Sequence, residues 1–133
     1  MSHPQSLRFR PTRRHFLQIG LALPAAQLLP AISRAASANG KLRTAHIGVG
    51  GMGAADLRSI ASHGQVEVAA LCDVDSDRLA AALQAHRGAR GFSDYREMLD
   101  QLGDAVDAVV VSTPDHTHAP AAMLAMQQNK PVY

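Results

Sequence analysis

The sequence has few of the residues that mark several common protein classes. It contains one cysteine, Cys72, and no tryptophan in 133 residues, and aromatic residues make up 4% of the chain. A single cysteine excludes an intramolecular disulfide, and therefore a small disulfide-stabilised scaffold. Ten glycines without a three-residue period exclude a collagen-like chain, and 47% hydrophobic residues exclude a fully disordered one. These proportions suit one ordinary globular domain.

Acidic residues are absent from the first 38 positions, which contain five arginines. The rest of the chain contains eight lysines and arginines against eleven acids, so this body is mildly acidic. It has no basic cluster, and the formal net charge of +2 comes from the N-terminal segment. We therefore expect no nucleic-acid partner, in spite of the basic isoelectric point.

Residues 1–38 have the order of an export signal. The adjacent Arg13 and Arg14 precede 19 residues without an acid, lysine or arginine, and small residues follow. This order is typical of a signal peptide, and the paired arginines resemble a twin-arginine leader. The triplet Ala36-Ser-Ala38 provides an A-x-A site. We expect cleavage after Ala38, with cleavage two or three residues earlier as the alternatives.

A twin-arginine leader predicts the twin-arginine export machinery as a partner and a periplasmic or secreted location. The alternatives are a basic tail or a single membrane anchor. Two prolines and two glutamines interrupt the apolar run, which makes it a poor membrane span. An uncleaved leader would still tether the protein to the membrane.

The remaining residues, 39–133, alternate between predicted strands and predicted helices. The predicted strands cover residues 43–47, 66–72, 91–92, 105–111 and 131–133. The predicted helices cover residues 54–63, about 76–87, a short stretch around Met98, and 118–128. The expected caps of the last three are Asp75 or Ser76, Ser93 or Asp94, and Thr117. Such alternation predicts an α/β fold with an incomplete Rossmann-type, doubly wound parallel sheet.

A glycine-rich segment follows the first predicted strand and opens the first predicted helix. Gly48-Val-Gly50-Gly51-Met52-Gly53 fits the pattern G-x-G-x-x-G. In a dinucleotide site the first glycine makes the tight turn, the second admits the pyrophosphate, and the third lets the helix pack closely. The amides of Gly51 and Met52 would then point at the phosphates. The alternative is a turn that merely connects strand to helix.

Asp73 ends the second predicted strand, 20 residues after Gly53, where an acid can accept both ribose hydroxyls of an adenosine. The alternative for this acid is a helix cap or a solvated loop. No lysine or arginine directly follows Asp73, so a 2′-phosphate would face an unshielded carboxylate and NAD is favoured over NADP. Arg78 is predicted to lie flat on the adenine, or else to be a surface residue.

The segment Ser112-Thr-Pro-Asp-His-Thr-His118 follows the fourth long predicted strand, where open α/β sheets bind ligands. Pro114 is expected to end the strand. His116 and His118 are two residues apart and no third ligand is evident, so we predict no metal site.

Taken together, the glycine loop, Cys72-Asp-Val-Asp75 and Thr113–Met126 resemble the Gfo/Idh/MocA oxidoreductase family. The resemblance covers Lys41–Tyr133 and implies a Rossmann domain that holds NAD or NADP. The resemblance implies that the residues at the pyrophosphate and the ribose are Gly48, Gly50, Gly51, Met52, Gly53 and Asp73. It implies that the residues on the nicotinamide side are Ser112, Thr113, Pro114 and His118.

Many family members continue with a Glu-Lys-Pro motif, whose lysine is catalytic, and then with a substrate domain. Neither is in this sequence. We therefore expect residues 39–133 to be a C-terminally truncated Rossmann domain that contains no catalytic residue. The resemblance is compatible with a homo-oligomer.

Three functions remain open at this point. The first is part of an exported, NAD-dependent oxidoreductase that transfers a hydride to or from a sugar or polyol. The second is part of an NAD-dependent glycosidase, a chemistry also found in this family, which would show no net NADH. The third is a nucleotide-binding module without catalysis. A methyltransferase also joins a glycine loop to an acid after the second strand, but the Ser112–His118 segment argues against it.

Overall fold

The computed structural model of the protein describes residues 40–133, so the predicted leader and its cleavage site lie outside the described residues. Strands and helices alternate along this segment. The strands are β1 (Leu42–Ile47), β2 (Val66–Cys72), β3 (Arg90–Phe92) and β4 (Ala108–Val111). The helices are α1 (Met52–Ala61), α2 (Ser76–Ala85), α3 (Tyr95–Leu102) and α4 (Asp115–Gln127). None of these helices is long and apolar enough to cross a membrane.

The four strands form one parallel sheet in the order β3-β2-β1-β4. The chain builds outward from β1 to β3 and then returns to the other side of β1 with β4. Beyond β4, the amides of Val109 and Val111 donate to the carbonyl oxygens of Pro131 and Tyr133, at 2.9 Å each. The predicted fifth strand therefore begins beside β4. The doubly wound Rossmann-type sheet predicted from the sequence is confirmed.

The sheet has a separate apolar core on each face, as a doubly wound fold requires. On one face, α3 and α4 cover the sheet with Tyr95, Met98, Leu99, Leu102, Ala121 and Ala125, which pack on Ala45, Ile47, Ala70, Cys72, Val109 and Val111. On the other face, α1 and α2 cover it with Leu57, Leu79, Ala82 and Leu83, which pack on Val68 and Leu71. Burial on both faces explains why β2 and β4 are almost continuously apolar.

Two of the helices begin where an aspartate caps them. The carboxylate of Asp75 accepts hydrogen bonds from the amides of Asp77 at 3.0 Å and Arg78 at 3.2 Å, before α2. The carboxylate of Asp94 accepts from the amide of Arg96 at 2.8 Å, before α3. Each side chain satisfies amides that have no carbonyl partner within the helix. Of the paired alternatives, the structure selects the aspartate in both places.

Three elements begin at a different residue from the one predicted. The fourth strand begins at Ala108 rather than at residue 105, because Gly103–Ala105 forms a 3₁₀ turn after α3. Helix α4 begins at Asp115 rather than at residue 118, and Pro114 rather than Thr117 is its N-cap residue. The amides of Thr117 and His118 both donate to the carbonyl oxygen of Pro114, which closes the first turn early. Helix α1 also begins two residues earlier than predicted.

An ion pair joins the amino-terminal ends of β1 and β4. Nη2 of Arg43 lies 2.9 Å from Oδ1 of Asp107, and Nε lies 3.1 Å from Oδ2. The two side chains are 20% and 19% exposed, and the amide of Arg43 also donates to the carboxylate. The hydrogen bonds and charge of Arg43 lower the pKa of the Asp107 carboxyl. The pair fixes the register of two neighbouring strands that are far apart in sequence.

Replacing Asp107 by Asn should lower the free energy of unfolding by about 1–2 kcal/mol at pH 7, because Arg43 loses a charged acceptor. The folded-state pKa of Asp107 is depressed, so its contribution is present above the unfolded pKa and is lost as the pH falls through the folded value. Urea unfolding at pH 7 and at about pH 3 measures both effects. Asp100→Asn, at an exposed position of α3, is the control. Equal losses in the two variants would contradict the prediction.

Candidate functional site

Three segments meet at the carboxyl edge of the sheet. The glycine loop, Gly48–Gly53, follows β1, Asp73 follows β2, and Ser112 follows β4. The connections that leave β1 and β4 lead to helices on opposite faces of the sheet. A crevice opens at such a switch point, and this is where open α/β sheets bind their ligands. The fold therefore brings together the segments that the sequence singled out.

The glycine loop is packed tightly against the end of β4. Gly48 has a φ of 84°, and a Cβ atom added there would lie 2.6 Å from the carbonyl oxygen of Ser112. A Cβ atom on Gly53 would meet the Gly48 carbonyl group and lie 3.1 Å from Cβ of Ser112. Neither position has room for a side chain. The first and third glycines of the motif are therefore required by close packing, as the pattern predicted.

The middle of the loop is open to ligand. Gly51 occupies the N-cap position of α1 with a φ of 54°, and a Cβ there would meet nothing within 4 Å. The side chain of Met52 is 78% exposed. The amide of Gly53 donates to the carbonyl oxygen of Gly50 at 2.9 Å, which closes the turn. The amide-rich start of α1 thus faces the crevice, where it favours an anion.

Asp73 is joined to the glycine loop as well as to the following turn. Its Oδ2 accepts from the amide of Val49 at 2.9 Å, and its Oδ1 accepts from the amide of Asp75 at 3.0 Å. A carboxylate oxygen can accept two hydrogen bonds, so each still has capacity for a ligand hydroxyl. The acid therefore shapes the loop and still offers acceptors to a ribose. The contact with Val49 joins residues 24 apart, and the pattern alone did not reveal it.

Ser112 lies at the predicted edge, but its hydroxyl is committed to the protein. It donates to Oδ2 of Asp56 on α1 at 2.7 Å, and the Ser112 amide donates to the carbonyl oxygen of Ile47 at 2.8 Å. Ser112 thus ties the end of β4 to β1 and to the helix that begins at the glycine loop. Asp56 is a positioning residue that the sequence analysis missed. Its one signal was an acid three residues after the last glycine of the motif.

The segment after Ser112 presents groups of a different kind. The Oγ1 atom of Thr113 is buried and has no hydrogen-bond partner among the described residues. Buried polar atoms are nearly always paired, so this hydroxyl is suited to a ligand or an ordered water. Pro114 and His118 are exposed, and Nδ1 of His118 lies 3.4 Å from the carbonyl oxygen of Thr113. His116 is also exposed, and residues 40–133 contain no cluster of three metal-ligating side chains.

Arg78 lies on the glycine loop. A Cβ atom added to Gly50 would meet Cδ of Arg78 first, and it would be 2.9 Å from Nη1 and 3.0 Å from Nε of the same side chain. The same Nε lies 3.2 Å from Oδ2 of Asp75. The sequence predicted adenine stacking for this side chain, and the structure places it beside the second glycine of the motif.

Cys72, which ends β2 directly before Asp73, is not exposed to the crevice. The side chain is 3% exposed, and burial, followed by the nearby carboxylates of Asp94 and Asp73, raises the pKa of its thiol to about 12. The thiol therefore stays protonated at neutral pH and packs as a small apolar group.

The geometry of the crevice fits a dinucleotide. The loop is open at Gly51, Asp73 retains acceptors for ribose hydroxyls, and the Thr113 hydroxyl has no partner among residues 40–133. Comparisons with known proteins agree with this fit. The model of the Gfo/Idh/MocA family, described as an oxidoreductase family with an NAD-binding Rossmann fold, matches residues 42–133.

Individual relatives give the same result. The chain is 33% identical over 130 residues to a glycosyl hydrolase family 109 protein of Stenotrophomonas maltophilia (strain K279a). That alignment covers 90% of this chain and 28% of the relative. The chain is 39% identical over 93 residues to inositol 2-dehydrogenase of Arthrobacter sp. (strain FB24), and that alignment covers 68% of this chain and 27% of the relative. Among solved structures, the WlbA dehydrogenase from Bordetella pertussis, in complex with NADH and UDP-GlcNAcA, aligns with a TM-score of 0.62 and 34% identity.

The alignment with the WlbA dehydrogenase covers 69% of this chain and 28% of that protein. The chain thus spans a little over a quarter of the length of the relatives it matches. The prediction of an NAD-binding Rossmann domain is confirmed. The alignment with the glycosyl hydrolase family 109 protein reaches upstream of residue 42, because it takes in more of the chain than the family model does.

Proposed function

Because this chain belongs to the Gfo/Idh/MocA oxidoreductase family, we propose that it is the cofactor-binding part of an exported, NAD-dependent oxidoreductase. The full protein would oxidise or reduce a sugar or a polyol. The observation that carries the proposal is the meeting of the glycine loop, Asp73 and Thr113 at one edge of the sheet. NAD, when bound there, supplies a nicotinamide C4 that accepts or gives a hydride.

The roles of the residues follow from their contacts. The backbone of Gly50, Gly51 and Met52 at the start of α1 would hold the pyrophosphate, where the helix dipole favours negative charge. Asp73 would accept the hydroxyls of the adenosine ribose with its remaining lone pairs. Gly48 and Gly53 bring the loop against β4 and leave the crevice narrow. These residues bind and orient, and the chemistry of proton transfer is proposed to lie outside residues 40–133.

The nicotinamide side of the crevice would be formed by the segment after β4. The buried Thr113 hydroxyl could pair with a polar group of the cofactor, and the exposed Pro114 and His118 would border it. Ser112 would position this segment without contacting the cofactor through its hydroxyl, because the hydroxyl donates to Asp56.

Removing the acid after β2 should weaken cofactor binding strongly. We expect Asp73→Ala to cost about 1–3 kcal/mol of NAD binding, because the ribose loses a charged acceptor and the Val49 amide loses its partner. Isothermal titration with NAD measures the loss. Asp77→Ala, an exposed acid in the first turn of α2, should leave the affinity unchanged. Unchanged affinity in the Asp73 variant would mean that another residue receives the ribose.

A sugar or polyol substrate is supported by the relatives, which include an inositol 2-dehydrogenase and a dehydrogenase crystallised with a sugar nucleotide. The test is a screen of free sugars, inositols and sugar acids with the full-length enzyme and NAD. Net formation of NADH that tracks substrate consumption supports an oxidoreductase. No NADH with any polyhydroxy substrate, from an enzyme that binds NAD, would overturn this part of the proposal.

A glycosidase is the second candidate, and the match to the glycosyl hydrolase family 109 protein favours it. In that chemistry a transient oxidation eases elimination, and the cofactor is restored before the product leaves. Release of sugar from an aryl glycoside without net NADH separates it from the oxidoreductase. NAD binding with neither activity would leave a nucleotide-binding module.

Export is supported by the paired arginines before an apolar run in the first 38 residues. Free NAD is scarce outside the cytoplasm, and the twin-arginine system exports folded proteins. A nucleotide loaded before export would remain bound and be recycled in place, with oxidation and reduction in alternation. Protein purified from the periplasm should therefore contain trapped NAD. Cofactor-free periplasmic protein that turns over with added NAD would contradict this.

A further inference from the structure

The placement of Arg78 gives this side chain a specific task. Its Cδ, followed by Nη1 and Nε of the guanidinium, lies over Gly50, the residue at which a bound pyrophosphate would approach the backbone. Asp75 holds the Nε atom at 3.2 Å with one carboxylate oxygen, while the other oxygen caps α2. A guanidinium has five N–H donors in a fixed fork, so the remaining donors stay available for a ligand.

The electrostatics of the loop call for a cation at this place. The segment from Gly48 to Gly53 contains no lysine or arginine, and a pyrophosphate brings two negative charges to it. Three carboxylates lie on the loop or on residues that contact it: Asp73 accepts from the Val49 amide, Asp75 pairs with Arg78, and Asp56 accepts from the Ser112 hydroxyl. Without a cation, the partial positive charge at the start of α1 alone would have to offset the negative charges of the pyrophosphate and of these carboxylates.

We propose that Arg78 supplies the counter-charge of the cofactor pyrophosphate, and that Asp75 orients it toward Gly50. The proposal rests on the proposed binding of NAD and deepens it. The arginine forms charge-assisted hydrogen bonds with the phosphate oxygens, for which its planar fork is suited. It thus acts at the centre of the dinucleotide. Stacking on the adenine is the competing role.

The experiment separates the two roles by the ligand used. Titrations with NAD, ADP-ribose and adenosine are made on the full chain and on the variants Arg78→Gln, Arg78→Lys and Arg87→Gln. Arg87 is exposed after α2, so its variant makes the same charge change away from the loop. The side chain of Arg78 is 61% exposed, so the substitutions leave the fold intact, and circular dichroism verifies this.

A role at the pyrophosphate predicts a specific pattern. Arg78→Gln should lower the affinity for NAD and for ADP-ribose by about tenfold and leave the affinity for adenosine unchanged. Arg78→Lys should recover part of the loss, because a lysine keeps the charge without the fork. Binding of NAD to the wild type should weaken with salt more steeply than binding to Arg78→Gln. Arg87→Gln should match the wild type for all three ligands.

Two results would overturn the inference alone. If Arg78→Gln lowered the affinity for adenosine as much as the affinity for ADP-ribose, the side chain would contact the adenine rather than the pyrophosphate. If Arg78→Gln bound NAD as tightly as the wild type, it would have no part in binding. A wild-type chain that bound no NAD would overturn the proposed function itself, and this inference with it.

Discussion

Gly53→Ala is expected to lower the affinity for NAD more than a hundredfold and to destabilise the domain by about 2–3 kcal/mol. The added Cβ would meet the Gly48 carbonyl group, which is backbone, and would press on Cβ of Ser112 at 3.1 Å. Neither neighbour can rotate away as a flexible side chain could. Helix α1 would have to move away from β4, and the loop would lose the form that admits a phosphate.

Two other glycines provide matched controls. A Cβ atom added to Gly64 or to Gly88 would meet nothing within 4 Å, and neither residue has a positive φ. Alanine at either position should leave both the affinity and the stability close to wild type. Titration with NAD and urea unfolding measure the two quantities for each variant. Wild-type affinity for NAD in Gly53→Ala would show that the cofactor does not depend on this loop.

Local patterns predicted most of the fold. Strand β2 was predicted with its observed bounds, Val66–Cys72, because a nearly continuous apolar run bounded by polar residues leaves little choice. The capping aspartates and the glycine motif also act within a few residues, which a sequence shows directly. The meeting of the three segments at one edge follows from strand alternation. The largest errors in the predicted starts lie at β4 and α4, where a 3₁₀ turn and Pro114 decide the outcome.

Contacts between distant residues could not be predicted in this way. Ser112 was expected on the nicotinamide side of the crevice, and the sequence did not reveal that its hydroxyl is bonded to Asp56, 56 residues away. Arg78 was expected on the adenine or at the surface; its side chain is 61% exposed, and the sequence did not reveal that it covers the distant Gly50. Both side chains lie close to the predicted crevice. Only the packed structure shows which partner each of them takes.

A buried histidine, His46 in β1, also escaped the sequence analysis. Its side chain is 1% exposed, its Nε2 lies 3.1 Å from Oγ1 of Thr44, and its Nδ1 has no hydrogen-bond partner among the described residues. Burial, together with the charge of His86, lowers the pKa of His46 to about 4, and the charge of Asp56 opposes this shift. A protonated imidazole would carry a buried donor at Nδ1 for which residues 40–133 provide no acceptor.

The fold should therefore lose stability in mild acid. The unfolded chain binds a proton at His46 near pH 6.5, whereas the folded chain binds it only near pH 4. Stability is full above pH 6.5 and falls as the pH drops through this interval, by about 3 kcal/mol in total. The loss from Asp107 begins at lower pH, because the pKa of that carboxyl is depressed from 3.8. The two effects occupy separate ranges of pH.

His46→Gln removes the titrating group and keeps a polar atom near Thr44. We expect its free energy of unfolding to be nearly constant between pH 6.5 and pH 4, where that of the wild type falls. His63→Gln, at an exposed position after α1, should retain the slope of the wild type. Urea unfolding at half-unit steps of pH gives all three curves. If the wild type and His46→Gln lost stability in parallel, the buried imidazole would not be the group that binds the proton, and the acid sensitivity would belong to the carboxylates around the crevice.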